Sequence, residues 1–190
     1  MAKDKTEVAD IAHPLERLTR LMRAGEHDGE LNPAQWEALR YIARANRFSN
    51  SPGSLTRFLG STKGTVSQTI KALERKGLIA KSQREHEKRS VCLALTEKGT
   101  ALLKNDPLAD FLETIDDLGG KTKRRLAKGL RDLLDAELAR QKQPSFGVCS
   151  TCRYYREKGH EIDVGGPHAC MKFEVGLSNA DMELICVEHA

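Results

Sequence analysis

Residues 55–99, LTRFLGSTKGTVSQTIKALERKGLIAKSQREHEKRSVCLALTEKG, decide the fold. They read in order as a short scaffold helix, a second capped helix and a basic β-hairpin. Gly60 ends the apolar helix over residues 55–59. Ser61 or Thr62 is then placed to accept hydrogen bonds from the free N–H groups of the next helix, which starts at Lys63. Val66, Ile70, Leu73 and Leu78 recur at helical spacing and form an inward stripe, leaving Lys63, Thr65, Ser67, Gln68 and Lys71 on the outer faces. Lys76 and Gly77 close this helix. The β-prone pieces 78–80 and 91–95 then flank a polar tip, QREHEKRS, which carries Arg84, Lys88 and Arg89.

The charge pattern supports a phosphate-binding face. Over residues 61–98 nine Lys and Arg stand against four Glu and no Asp, a surplus of +5, whereas the whole chain sums to +4. The basic excess is therefore concentrated on this helix and hairpin, as in a surface that neutralises a nucleic-acid backbone. Ser, Thr and Gln side chains suit base edges or phosphates in a major groove, and Lys supplies charge. The candidate DNA-contacting set is Thr62, Lys63, Thr65, Ser67, Gln68, Lys71, Arg84, Lys88 and Arg89.

The segment resembles the winged helix-turn-helix of the MarR family of bacterial transcription regulators. The residues that carry the likeness are Leu59-Gly60, Thr65-Val66-Ser67, Leu73-Glu74, Lys76-Gly77-Leu78, Lys88-Arg89 and Leu95-Thr96-Glu97-Lys98-Gly99. Gln68 stands where the family often has Arg, and Arg84 replaces the acidic residue that often begins the wing. The resemblance extends in outline over residues 1–142. It implies a mainly α-helical winged-helix domain and a homodimer built from the first and last helices. The implied partner is a double-stranded, pseudo-palindromic DNA operator, with a small organic effector between the dimer helices and the DNA-reading lobe.

The flanking sequence is helical. A helix is expected from Pro14 to about Ala24, with Leu15, Leu18, Leu21 and Met22 on one side. Another should run from Pro33 to near Asn46 and place Trp36 in the core. Pro107 should break the stretch 102–118 into two pieces. Gly119-Gly120 then turns into a long helix over about 122–141, with Leu126, Leu130, Leu133, Leu134 and Leu138 on one face. A lone helix cannot bury such a face, so the stripes at the two ends predict a homodimer, which two-fold half-sites also require.

Beyond residue 142 the composition changes. Four of the five cysteines lie in the segment 143–190 as Cys149, Cys152, Cys170 and Cys186, spaced C-x2-C-x17-C-x15-C, with His160, His168 and His189 nearby. No stretch approaches membrane-spanning length and the N-terminus lacks an apolar signal core, so a cytoplasmic location without membrane association is expected. Disulfides are disfavoured in that compartment, and four soft thiolates point to a metal centre whose binding also supplies folding energy to a short tail. Cys149 and Cys152 with Cys186 and His189 would make a zinc knuckle that leaves Cys170 over. All four cysteines would suit either a tetrathiolate zinc or a 4Fe-4S cluster.

The tail also resembles the small cluster fold of high-potential iron-sulfur proteins. Cys149, Cys152, Tyr154 and Tyr155, Gly165-Gly166, Cys170 with Phe173, and Cys186 carry that likeness. It implies a 4Fe-4S cofactor on the four cysteines, with zinc as the alternative and His168 and His189 as alternative ligands. Cys92 reads as a small strand residue of the hairpin. No nucleophile, base and oxyanion arrangement is legible, nor a glycine loop that would cradle phosphates, so no catalytic residue and no enzyme is expected. Joined, the two parts read as a regulator, a repressor, whose operator affinity a cluster modulates. The alternatives are a structural zinc tail on a ligand-responsive regulator, and an electron-transfer module tethered to DNA.

Overall fold

The computed structural model describes residues 7–26, 29–84, 87–159 and 165–190, with the side chains of residues 84 and 87–90 outside that description. Helix α1 spans Val8–Ala24, α2 Pro33–Arg44, α3 Pro52–Phe58 and α4 Lys63–Arg75. The hairpin strands are β1 Ile79–Arg84 and β2 Glu87–Leu95. Helices α5 Glu97–Leu103, α6 Ala109–Asp116 and α7 Gly120–Gln141 follow. Among the described residues no helix is long and apolar enough to cross a membrane.

Local chemistry accounts for the boundaries. Thr62 caps α4 by accepting from the Thr65 N–H at 3.1 Å, and Ser51 caps α3 by accepting from Ser54 N–H at 3.1 Å. Gly60 and Gly77, with φ of +56° and +70°, make the turns that end α3 and α4, where a side chain would strain the backbone. Thr96 opens α5 by accepting from Gly99 N–H at 3.0 Å, while its own hydroxyl donates to the Gly77 carbonyl at 2.7 Å. Gly99 lies against the Leu78 backbone, where any Cβ would collide with the Leu78 carbonyl. The LTEKG segment is thus a clasp that ties the start of α5 to the end of α4.

Three boundaries differ from expectation. Helix α1 starts six residues ahead of Pro14, because Glu7 and Asp10 form a reciprocal capping box and Pro14 is carried inside the helix. The break at Pro107 is present, but the first piece begins at Glu97 rather than Leu102. The wing strands are longer than read: Arg84, Lys88 and Arg89 lie in strands rather than in a polar tip, with Gln83 paired to Val91 and Arg84 to Glu87. Backbone pairing extends through polar residues because an exposed hairpin needs no alternation to form its ladder. Of the expected tip, residues 85–86 fall outside the described residues.

The main core lies under the hairpin and helices α2 to α4, and a second, smaller cluster gathers Cys149, Leu177 and Cys186. Trp36, Leu39, Leu55, Val66, Ile70, Leu73, Leu78 and Leu93 are all buried within the main core, as the inward stripe required. Trp36 is a core residue whose indole Nε1 has no hydrogen-bond partner among the described residues. Arg40 of α2 bonds both Glu26 and Asp106 in a mostly buried ion triad that ties the entry to α2 to the α5–α6 link. By contrast α1 and α7 bury no residue. Ile11, Leu18, Leu21, Leu126, Leu130, Leu133 and Leu134 are each at least 40 % exposed, and the two helices flank a groove of about 420 Å³.

The tail folds as short strands: β3 Gly147–Val148 pairs with β7 Ile185–Cys186, and β4 Tyr155–Arg156, β5 His168–Cys170 and β6 Val175–Leu177 form a three-stranded antiparallel sheet. Ile185 enters the main core, Phe146 meets the Tyr41 and Phe58 rings edge-on, and Phe48 stacks on Phe173 at 4.2 Å. The docking surface is the α2–α3 loop.

Candidate DNA-reading face and four-cysteine site

Helix α4 presents its polar residues as the periodicity requires. Thr62, Lys63, Thr65, Ser67, Gln68 and Lys71 are all exposed, and Val66, Thr69, Ile70 and Leu73 are turned inward. A groove of about 440 Å³ runs between α3, α4 and the wing. Its walls include Thr56, Lys63, Ser67, Lys81 and Val91. Lys63 and Ser67 therefore share one concave surface with the wing, while Lys81 also pairs with Glu74 at 2.6 Å. Arg84, Lys88 and Arg89 continue the wing strands beyond this groove; their side chains lie outside the described residues. Cys92 pairs with Ser82 across the hairpin as a half-buried strand residue.

The four tail cysteines face a single space. Cys149, Cys152, Cys170 and Cys186 line one small cavity of about 10 Å³. Each is delivered by a short element. A single 3-10 turn, Cys149–Thr151, brings Cys149 and Cys152 together, with Cys152 N–H donating to the Cys149 carbonyl at 2.9 Å. Cys170 ends β5 opposite Tyr155, and Cys186 ends β7 opposite Gly147. Tyr154, Tyr155, Phe48, Phe173 and Leu177 form apolar walls. At the rim Lys172 and Glu188 pair at 2.6 Å.

The electrostatics favour a thiolate. Cys186 is lowered to about 6, first by its hydrogen bond with Cys149, with Asn46, the Glu188 backbone and Ser49 adding to the effect against the cost of burial. Cys149 is pushed up by the same contact with Cys186 and then by burial, so the pair holds its proton on Cys149. A soft, dry, partly ionised donor set of this kind suits a thiophilic metal group.

Neither candidate histidine ligand faces the cysteines. His168 is buried, its Nδ1 accepting from the Tyr155 hydroxyl at 2.8 Å and its Nε2 meeting Asn179 Oδ1 at 2.9 Å. His189 has Nδ1 against Ser145 Oγ at 3.1 Å and Nε2 against Thr151 Oγ1 at 3.0 Å. Both rings brace the tail strands, and Gly147 makes room for His189, since a Cβ there would strike the ring. His160 lies outside the described residues. Among the described residues no three His, Cys, Asp or Glu side chains converge closely enough to hold a single metal ion.

The sequence reading overlooked the fourth wall of this site. Asn46 read only as the end of the second helix and residues 47–49 as loop, yet Asn46 and Ser49 are buried and Asn46 Nδ2 points at Cys149 Sγ at 3.8 Å. A lone Phe48 between polar residues was the one available signal.

The MarR family model matches residues 31–91. Comparison with curated proteins gives no match. A MarR transcriptional regulator from Methanosarcina mazei Go1 superposes with a TM-score of 0.56 at 20% identity, covering 70% of this chain and 96% of that one. FabT of Streptococcus pneumoniae in complex with DNA gives 0.54 at 23% identity, covering 68% and 96%. The PcaV regulator of Streptomyces coelicolor in complex with its natural ligand gives 0.52 at 18% identity, covering 70% and 94%. With α3, the capped α4 and the β1–β2 wing in sequence order, residues 31–91 match the MarR family model and about 70% of the chain shares the fold of MarR-type winged-helix regulators.

Proposed function

We propose that the protein is a DNA-binding transcription regulator, a repressor, that works as a homodimer on a pseudo-palindromic operator and carries a 4Fe-4S centre on Cys149, Cys152, Cys170 and Cys186. The exposed polar face of α4 beside the wing supports DNA reading, as does the likeness to FabT, which is known in complex with DNA. The exposed leucine faces of α1 and α7 support the dimer, because an apolar groove of that extent calls for a cover. Lys63, Lys71, Lys88 and Arg89 would meet phosphates, and Ser67 and Gln68 the base edges.

One observation carries the cluster reading: all four cysteines line the same cavity while both candidate histidines are engaged elsewhere. A tetrathiolate zinc would draw all four sulfurs to about 2.3 Å from one point. A cluster distributes its cysteines over separate irons and has no such requirement. When bound, the group would supply a redox- and oxygen-sensitive charge at the base of the DNA-reading lobe. The chain's own residues hold it, exclude water through Phe48, Phe173 and Leu177, and pass its state to the lobe.

The test is anaerobic purification followed by a visible spectrum, iron and sulfide analysis, and operator binding before and after exposure to air or a chelator. Brown protein with about four iron and four sulfide per chain, and an affinity that changes on loss of iron, is expected. Colourless protein with one zinc and air-insensitive binding would overturn it.

A second reading has its own observation. A cleft of about 320 Å³ between α1, α2 and α3 is lined by Arg23, Glu37, Arg40, Arg44 and Tyr41, with Ile185 of the tail in its wall; Arg23 pairs with Glu37, and Arg40 with Glu26 and Asp106. It would suit a small organic effector, in line with the liganded PcaV structure. Such a compound would shift operator affinity in protein stripped of metal.

A further inference from the structure

The α2–α3 loop is bonded to the cysteine site on one side and to the DNA-reading lobe on the other. On the site side, Asn46 Nδ2 donates to Cys149 Sγ at 3.8 Å, and the Asn46 backbone N–H donates to the Ile185 carbonyl at 2.9 Å, next to Cys186. Ser49 Oγ accepts from the Val187 N–H at 2.8 Å, on the other side of Cys186. Arg47 donates to the Gly176 carbonyl, and Phe48 stacks on Phe173 in the cavity wall.

On the lobe side, Asn46 Oδ1 accepts from Phe48 N–H at 3.1 Å and its carbonyl from Ser49 N–H at 2.9 Å, which sets the turn. The Ser49 carbonyl accepts the Tyr41 hydroxyl of α2 at 2.7 Å, the Asn50 carbonyl accepts Leu93 N–H of the wing at 2.7 Å, and Ser51 caps α3. Asn46 is 1% exposed, a polar side chain buried for its hydrogen bonds alone.

We propose that Asn46 is the positioning residue through which the state of the four-cysteine site reaches α3, α4 and the wing. Its side chain bonds a cysteine sulfur and also shapes the turn into α3. With the site filled, the sulfur is fixed and the loop is held in its operator-binding form. With the site emptied, the tail loses the energy that orders it, the bonds at Cys149, Ile185 and Val187 loosen together, and α3 loses its anchor. Coupling then runs through a contiguous set of hydrogen bonds between a bistable tail and the lobe. This inference rests on the cluster reading above.

The test uses the full chain, anaerobically prepared, as wild type, Asn46→Ala and Phe48→Leu. Iron and sulfide content, midpoint potential and operator affinity in the loaded and chelator-stripped forms are measured. Wild type should lose at least about tenfold in affinity on stripping, the span of a modest coupling energy. Asn46→Ala should retain iron, show a lower midpoint potential because a hydrogen bond to sulfur is gone, and lose less than about threefold in affinity on stripping. Phe48→Leu keeps that hydrogen bond and should keep most of the wild-type ratio.

Iron-replete Asn46→Ala with an undiminished ratio overturns the link and leaves the cluster reading standing. Wild-type protein without a centre overturns both. Should Asn46→Ala not retain iron, amide exchange of residues 46–58 in loaded and stripped wild type decides. Faster exchange on stripping is expected, and unchanged exchange overturns the proposal.

Discussion

Leucine stripes of the same periodicity have opposite fates in two regions of this chain. In the winged-helix lobe Leu39, Leu55, Leu73 and Leu78 are fully buried, because α2, α3, α4 and the wing close over one another. In α1 and α7 the equivalent residues stay open, with Leu133 and Leu134 at 49% and 54% exposure, although the apolar spacing along α7 is as regular. Periodicity tells which face must be covered, but not whether the cover comes from the same chain. The lobe is self-sufficient, and the terminal helices leave an apolar face open.

Breaking the lobe should have the larger effect. Arg40 holds Glu26 and Asp106 where side-chain exposure is only 4% and 16%, so Arg40→Ala strands two acids. Loss of one partner from such a buried set costs about 3–5 kcal/mol, read as a shift of the urea midpoint; a loss under about 1 kcal/mol would show that the triad is not structural. The pH dependence follows from Asp106. Burial opposes its ionisation, but the hydrogen bonds from Arg40 and Leu108 N–H prevail and hold its carboxyl below 3.8. Its contribution is therefore complete above 3.8 and disappears as pH falls through the lower folded value. Asp106→Asn should flatten that acid limb of the stability curve.

The next prediction sharpens the comparison itself. Leu73→Ala should cost about 2–5 kcal/mol at every protein concentration, since the cavity forms inside one chain. Leu133→Ala should weaken a dimer instead, with a loss that grows on dilution. Leu130→Glu with Leu133→Glu should give a monomer in sedimentation at micromolar concentration. A monomeric wild type, or a dimer that survives both glutamates, would remove the α1 and α7 face from the interface.

The smallest effect belongs to the exposed face of α4. Lys63→Ala should leave stability within about 0.5 kcal/mol and lower the salt slope of operator binding by about one. An unchanged slope would place phosphate contact elsewhere on the lobe.

Reading residue order alone was enough for the helix-turn-helix and wing, because caps, glycines and apolar spacing act within a few residues of each other. Thr62, Gly60, Gly77 and the stripe from Val66 to Leu78 each do locally what their chemistry requires. The early start of α1 was less legible, since a proline signal competed with the Glu7 and Asp10 cap. The grouping of the four cysteines was also foreseeable from their spacing, and the structure brings them to one cavity.

Tertiary structure alone decided three things. It turned His168 and His189 away from the cysteines into strand-bracing hydrogen bonds, it buried Asn46 and Ser49, and it docked the tail on the α2–α3 loop. The contacts of the tail with the loop, Asn46 with Cys149 and Ser49 with Val187, join residues more than a hundred positions apart. A single polar side chain has no periodicity to announce its partner. Burial and hydrogen bonding between distant segments are properties of the closed fold, and only there does a loop asparagine become part of a cysteine site.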